Sequence, residues 1–243
     1  MSNYIAMWSG PRNISTALMR SFENRDDCFV TDEPFYAFFL NETGHKHPMS
    51  KEIIQSEEKN YKEIVEYLTG SIPHSKTIWY QKHMAHHMIP ESDLEWIKKM
   101  NNCLLIRNPK DVICSYIKRN EINSINDLGY PQQIEIYNML KESFGATPMI
   151  IDANELLANP EELLIKLCRS FNITFNKDML SWPRGPRSTD GVWGKHWYIQ
   201  VESSTGFKPK IDKKNEVPKK YDYIYNQCME HYNLLYKNRM RSD

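Results

Sequence analysis

Apolar residues in this chain fall into short unbroken runs, separated by longer stretches in which they recur every three or four positions. The short runs are Tyr4–Trp8, Cys28–Thr31, Thr77–Gln81, Cys103–Arg107 and Met149–Asp152. Each is bounded by polar or turn residues, as strands buried on both faces are. The longer stretches predict helices over Ser15–Glu23, Lys51–Leu68, Ser92–Lys99, Pro109–Arg119, Gln132–Phe144, Pro160–Phe171 and Lys219–Asn238. The helix from Pro160 has the clearest start: Asn159 to cap it, proline at the first position, and Glu161 and Glu162 where the helix dipole favours acid. Its stripe Leu163, Leu164, Leu167, Cys168, Phe171 has helical spacing. In the last helix, Tyr221, Ile224, Tyr225, Cys228, Tyr232, Leu235 and Tyr236 form a face expected to pack on the sheet. Strands alternating with helices predict an α/β fold around a mostly parallel sheet.

Two regions fit no period. Ser181–Gly206 is rich in Gly, Pro, Arg and Trp and reads as a long functional loop. Lys208–Lys220 carries six lysines and two prolines and reads as a solvated connector. With 243 residues, no repeats and no linker, residues 1–243 are expected to form a single domain. Aromatics at 12% supply enough bulk for a sizeable core. Formal net charge is zero, which argues against a nucleic-acid binder but leaves room for a local basic pocket. The five cysteines show no paired framework and read as reduced thiols, hence a cytoplasmic protein. The chain enters a strand almost at once, so no leader peptide is expected. No apolar run reaches the ~20 residues a membrane helix needs.

Chemistry concentrates where strands give way to helices. The segment Met7–Met19 reads MWSGPRNISTALM. A helix start presents unpaired N–H groups and partial positive charge, and Arg12 adds a full charge, so the junction is built for an anion. A nucleoside triphosphate with magnesium favours Gly-x4-Gly-Lys-Ser/Thr; here Ser15 and Thr16 stand where Gly and Lys should fall. A dinucleotide favours Gly-x-Gly-x-x-Gly, of which only Gly10 is present. What remains is one guanidinium, two hydroxyls and helix-start N–H groups, a set that cradles phosphate or sulfate without a metal. A second junction, Leu105–Tyr116, reads LIRNPKDVICSY, and Arg107 and Ser115 can share one side of it, about two helical turns apart.

The first loop resembles the 5′-phosphosulfate loop of the sulfotransferase family, Pro-Lys/Arg-Ser-Gly-Thr-Thr. Pro11, Arg12, Ser15 and Thr16 match it, while Asn13 and Ile14 replace Ser-Gly and Ala17 stands where an adenine-stacking Trp often lies. The second junction is similar to that family's 3′-phosphate segment. A third stretch, Gly191-Val192-Trp193-Gly194-Lys195-His196-Trp197, looks like its late Gly-Asp-Trp-Lys-Asn-His-Phe element, with Val192 in place of the acid. The resemblance implies a P-loop NTPase-like, three-layer αβα fold of sulfotransferase type. It also implies transfer of a sulfuryl group from 3′-phosphoadenosine-5′-phosphosulfate (PAPS) to a hydroxyl or amine of a small molecule. The implied nucleotide ligands are Arg12, Asn13, Ile14, Ser15, Thr16 and Ala17 for the 5′ side, Arg107 and Ser115 for the 3′-phosphate, and Arg187, ahead of Arg184, as a closing residue.

Arg12 is expected to stabilise the departing nucleotide. Two residues are candidates for the base. His83, in Lys82-His83, matches the Lys-Thr-His segment of cytosolic sulfotransferases; Glu33 stands near the Glu that other members use. Both fall at strand carboxyl ends, where open α/β sheets bind ligands. The cluster His83, His86, His87 lacks a companion ligand at helpful spacing, so no metal is expected. Asp32 is read as the cap of a helix from Glu33. Phe35 and Phe39 are expected mostly in the core, and Tyr36, Phe38, Trp193, Trp197 and Tyr198 can line an acceptor pocket. The partners expected are a small-molecule acceptor, no nucleic acid and no membrane, for a monomer or homodimer. The alternatives are a small-molecule kinase, disfavoured by the missing P-loop lysine, and a non-catalytic nucleotide-binding module.

Overall fold

A computed structural model describes residues 2–90, 92–209 and 216–241. Five strands, β1 (Asn3–Ser9), β2 (Cys28–Asp32), β3 (Ile78–Met84), β4 (Asn101–Ile106) and β5 (Met149–Asp152), form one sheet in the order β2-β3-β1-β4-β5. Every pairing is parallel. Helices cover both faces: α1 (Ser15–Glu23), α2 (Tyr36–Thr43), α3 (Ser50–Ser56), α4 (Tyr61–Thr69), α5 (Pro109–Tyr116), α6 (Tyr130–Asn138), α7 (Ala153–Ala158), α8 (Pro160–Ser170), α9 (Gly194–Trp197), α10 (Ile199–Glu202) and α11 (Asp222–Lys237).

The unbroken apolar runs hide a period of two. Ala6 and Trp8 of β1, Trp79 of β3, and Leu104 and Ile106 of β4 point into one core layer, with Ile64 of α4, Val112 and Ile113 of α5, Ile136 of α6 and Leu235 of α11. Ile5, Met7, Tyr80, Cys103 and Leu105 point into the other, against Leu18, Met19 and Phe22 of α1 and Leu163, Leu164 and Leu167 of α8. Both faces are covered, giving three layers, so both residue sets must be apolar. All five cysteines are buried and unpaired. The C-terminal helix packs as its pattern predicts, with Cys228, Tyr232 and Leu235 inside.

Several boundaries move. The predicted helix 51–68 splits because Glu57 is extended and Asn60 starts α4, its side chain accepting from the N–H of Lys62 and Glu63. Helix 132–144 becomes α6 followed by a wider π turn over Met139–Ser143. Of the predicted helix 92–99 only a 3₁₀ turn, Glu95–Lys99, forms. Asn159 makes no side-chain cap; instead Asp152, ending β5, caps the unpredicted α7 through the N–H of Asn154 and Glu155. The loop Ser181–Gly206 is closed at its base by an antiparallel bridge between those two residues and holds α9 and α10. Residues 210–215 of the expected connector lie outside the described residues. Among the described residues no helix is long and apolar enough to cross a membrane.

Candidate active site

The carboxyl ends of β1, β2, β3 and β4 lie at one edge of the sheet, and the segments that follow them carry Arg12, Glu33, His86 and Arg107. β1 leads straight into the first loop. A side chain at Gly10 would put its Cβ 2.3 Å from the carbonyl oxygen of Leu128, so only glycine passes there. Arg12 and Ile14 both hold positive φ, 64° and 60°, a conformation that costs non-glycine residues of order 1–3 kcal/mol each. Asn13 is buried and donates through Nδ2 to the carbonyl of Leu105 at 3.1 Å, tying the loop to β4. Gln133 holds the same carbonyl at 3.0 Å and that of Trp8 at 3.3 Å. Helix α1 then begins with no capping side chain and no acid in its first turn. Its first N–H groups therefore remain available to an anion.

The structure brings Arg12, Arg107 and Ser115 together. Arg12 Nε donates to Ser115 Oγ at 2.9 Å, and Arg107 Nη1 donates to the Arg12 carbonyl at 2.8 Å. Arg107 Nε is buried without a partner. Tyr130 fixes the end of β4 by donating to the Arg107 carbonyl at 2.7 Å. Arg119, which no local motif singles out, donates to the His196 carbonyl at 2.7 Å and links this corner to the late loop. Burial first, and then the charges of Arg119 and Arg107, hold the Arg12 guanidinium below its ordinary value. Among the described residues no ion pair involves Arg12, Arg107 or Arg119. Three mutually repelling cations beside an uncapped helix start suit two anionic groups. Ser15 is buried and Thr16 and Ala17 are half-buried on the first turn of α1.

Arg187 faces elsewhere. Its guanidinium donates to the carbonyls of Pro183 and Pro186 and lies 3.7 Å from Glu23, at the far end of α1. Its backbone N–H donates to Asp190, which pairs with the buried Arg20 at 2.5 Å. In this arrangement Arg187 anchors its own loop and makes no contact with Arg12 or Arg107.

The two base candidates stand in contrasting places. His83 is 1% exposed, stacked on Trp8 at 4.4 Å, with Nε2 against Gln81 Oε1 and Nδ1 buried without a partner. Burial pushes its imidazole down to about 3. It is sealed in the layer beneath the sheet edge because β3 runs to Met84, longer than its apolar run predicts. Glu33 lies just beyond β2 with φ 44°, its side chain 11% exposed. Burial raises its carboxyl above the ordinary range, against the pull of Lys82 at 2.6 Å.

Lys82 is the unforeseen centre of this corner. Its Nζ donates to Asp32 at 2.8 Å, Glu33 at 2.6 Å and Tyr198 at 2.7 Å. Burial lowers the ammonium, but Asp32 and Glu33 outweigh it and hold Lys82 above its usual value. Asp32 is no helix cap: it accepts from Lys82, from Tyr198 Oη at 2.7 Å and from the Gly191 N–H at 3.3 Å. Trp193 completes the set, donating to Tyr198 at 3.0 Å. Trp193 and Tyr198, read as pocket aromatics, are buried and instead dock the late loop on β2 and β3. A lysine inside a buried strand was the available signal, and strand register sets Lys82 directly beside Asp32.

Among the described residues no cluster of three or more His, Cys, Asp or Glu side chains is arranged to hold a metal. His87 is buried and stacked on Tyr36 and Phe39, and burial holds it well below its usual value, as for His83. The sign follows directly. The unfolded imidazole titrates near 6.5 and the folded His83 near 3, so between those values only the unfolded chain binds the proton. The stability is complete above pH 6.5 and is lost as pH falls toward 3. Urea unfolding between pH 7 and 4 should show a loss of up to about 1.4 kcal/mol per pH unit for each such histidine. A flat profile would refute their neutral burial.

A family model for the sulfotransferase domain matches residues 3–239. Two Arabidopsis thaliana proteins, branched-chain-amino-acid aminotransferase-like proteins 2 and 1, are 35% and 38% identical to this chain over 95% of its length. The chain spans about two fifths of each relative, 41% and 39%. In fold, a sulfotransferase from Alicyclobacillus acidocaldarius superposes with a TM-score of 0.59 at 10% identity, covering 99% of this chain and 97% of its own. The sulfotransferase domain from the curacin biosynthetic pathway follows at 0.53 and 16% identity, covering 94% and 98%. With the family match running from the first strand to beyond the last helix, over the same sheet that gathers Arg12, Arg107 and Ser115, this chain belongs to the sulfotransferase family.

Proposed function

We propose that residues 1–243 act as one domain that transfers a sulfuryl group from PAPS to a hydroxyl or amine of a small molecule, without a metal. The observation that carries this reading is the cluster of Arg12, Arg107, Arg119 and Ser115 beside the uncapped start of α1. An orphaned Arg107 Nε and an Arg12 guanidinium disfavoured by burial and by the charges of Arg119 and Arg107 are what an anion would relieve. PAPS supplies the sulfuryl group already activated on a phosphate leaving group.

In this reading the N–H groups of Ser15 and Thr16 and their hydroxyls bind the 5′-phosphosulfate. Arg12 holds the charge that grows on the bridging oxygen as the S–O bond to phosphate breaks, a role its permanent charge suits. Arg107 and Ser115 bind the 3′-phosphate. The acceptor oxygen or nitrogen bonds to sulfur, and Glu33 takes the proton it loses. Its raised affinity for protons suits a base, while the buried His83 has no path to a substrate. Lys82 holds the carboxylate in place.

Thermal unfolding with 3′,5′-ADP, without metal, should rise by several degrees at ~100 times the dissociation constant, equivalent to ~2.7 kcal/mol. Arg107→Ala should weaken 3′,5′-ADP binding by ~1.5–3 kcal/mol, the range of a charged hydrogen bond, and 5′-ADP binding far less. Equal losses for both ligands would remove the 3′-phosphate assignment. A shift with ATP and magnesium alone would replace the reading by a kinase. Binding of 3′,5′-ADP without turnover on any acceptor would leave a nucleotide-binding module.

A further inference from the structure

Three elements meet on one backbone oxygen at the anion corner. The carbonyl of Leu105, near the end of β4, accepts from Asn13 Nδ2 at 3.1 Å and from Gln133 Nε2 at 3.0 Å. A carbonyl oxygen has two lone pairs and can hold both. Asn13 comes from the first loop and Gln133 from the first turn of α6. Gln133 Nε2 also reaches the Trp8 carbonyl of β1 at 3.3 Å, so one side chain spans the two neighbouring strands that lead into the two anion junctions. Tyr130, three residues earlier on the same face of α6, donates to the Arg107 carbonyl at 2.7 Å. Asn13, Tyr130 and Gln133 are each no more than 1% exposed. Asn13 Oδ1 and Gln133 Oε1 are buried without partners, a cost that comes with keeping both amide donors on carbonyls.

We infer that Asn13 and Gln133 are positioning residues: through the Leu105 carbonyl they fix the distance between the 5′ and 3′ anion sites, and the preference for a ligand carrying both groups comes from that joint. This role rests on the sulfotransferase reading for the identity of the ligand. It differs from the part that resemblance implies for Asn13, because the side chain is committed to β4. The loop needs such a brace. Arg12 and Ile14, on either side of Asn13, hold φ of 64° and 60°, and no glycine stands between Gly10 and Ser15. Left-handed backbone is a genuine outlier for a β-branched residue such as Ile14. It persists only where the surroundings over-determine it. Here Asn13 is pinned on Leu105, the Arg12 carbonyl is held by Arg107 Nη1 at 2.8 Å, and Gly10 packs on Leu128, two residues before α6. Each restraint runs to β4, its following residue or the approach to α6, so the first loop and the end of β4 are held as one piece. A ligand with two anionic groups gains from their linkage only while the two sites keep a matching distance. A ligand with one such group does not depend on that distance.

The test is calorimetric titration of 3′,5′-ADP, 5′-AMP and 3′-AMP into the unaltered full chain, Gln133→Met and Asn13→Ala. Methionine keeps the length of Gln133 and removes its donor. Thermal unfolding shows that each variant is folded at the assay temperature; should Gln133→Met not fold, Asn13→Ala decides alone. Both variants should bind 3′,5′-ADP at least about 10-fold more weakly, a share of the ~10²–10⁴-fold that linked sites supply, and either monophosphate less than about 3-fold more weakly. Equal losses for all three ligands would make the two residues general supports of the fold and overturn the assignment. A loss confined to one monophosphate would make them direct ligands and overturn it as well, as would unchanged binding in the folded variants. If the unaltered chain held 3′,5′-ADP no more tightly than the monophosphates, the sulfotransferase reading beneath would fail instead.

Discussion

Replacing Glu33 with glutamine should lower kcat by ~10²–10⁴-fold, the usual contribution of a general base, while leaving 3′,5′-ADP binding nearly unchanged. The substitution keeps the side chain's shape and removes its basicity. Lys82 still has Asp32 at 2.8 Å and Tyr198 at 2.7 Å, so the corner keeps its cation paired. The matched control is His83→Gln. Its ring stacks on Trp8 and lies among Phe35 and Trp96, so its loss should cost stability through packing. Turnover per folded molecule should survive. Full activity in Glu33→Gln with a collapse in folded His83→Gln would transfer the base to His83. The pH dependence of kcat supplies an independent check. Its acid limb should sit above the ordinary carboxylate range, because burial raises the Glu33 carboxyl.

Removing the ammonium of Lys82 should be the most damaging single change to stability. Lys82→Met keeps much of the volume but leaves Asp32 and Glu33 buried side by side with no cation between them. Breaking a buried ion pair by deleting one partner typically costs ~3–5 kcal/mol. The pH dependence has a definite sign. Without Lys82 the Glu33 carboxyl, already raised by burial, binds its proton more tightly in the folded chain than in the unfolded one. Stability of the variant therefore falls as pH rises through its folded value, and the deficit against the unaltered chain is larger at pH 7 than at pH 5. Urea unfolding at both values measures it. A deficit below 1 kcal/mol at pH 7, or one independent of pH, would mean that solvent already screens the cluster. Tyr198→Phe tests the other arm: it should loosen the docking of Gly191–Tyr198 on β2 and β3, visible as faster amide exchange in that segment.

Much of the fold was legible because its signals are local. Five apolar runs became five strands, and α1 and α8 kept the starts their sequences announce. Parallel strands buried on both faces cannot tolerate polar residues, so each stands out as a run. The errors fell where local signals compete. Asn159 and Asp152 both have capping chemistry, but only Asp152 has the backbone that places its oxygen over the following N–H groups. The break at Glu57 interrupts a pattern whose apolar spacing continues across it.

The anion corner was legible for the same reason. Arg12, Ser15 and Thr16 lie within one strand–helix junction, and Arg107 and Ser115 within another. The chemistry of each junction depends on contiguous residues and on a helix start that any such junction creates. That parallel order also determined that both junctions open at one edge of the sheet. Only the tertiary structure decided the rest. It placed Arg119 against the late loop, turned Arg187 toward Pro183, sealed His83 under Trp8, and joined Lys82 to Asp32 and Glu33, 50 and 49 residues before it, and to Tyr198, 116 residues after it. Those outcomes depend on which groups lose water and which charges meet inside, and both are properties of packing between distant segments.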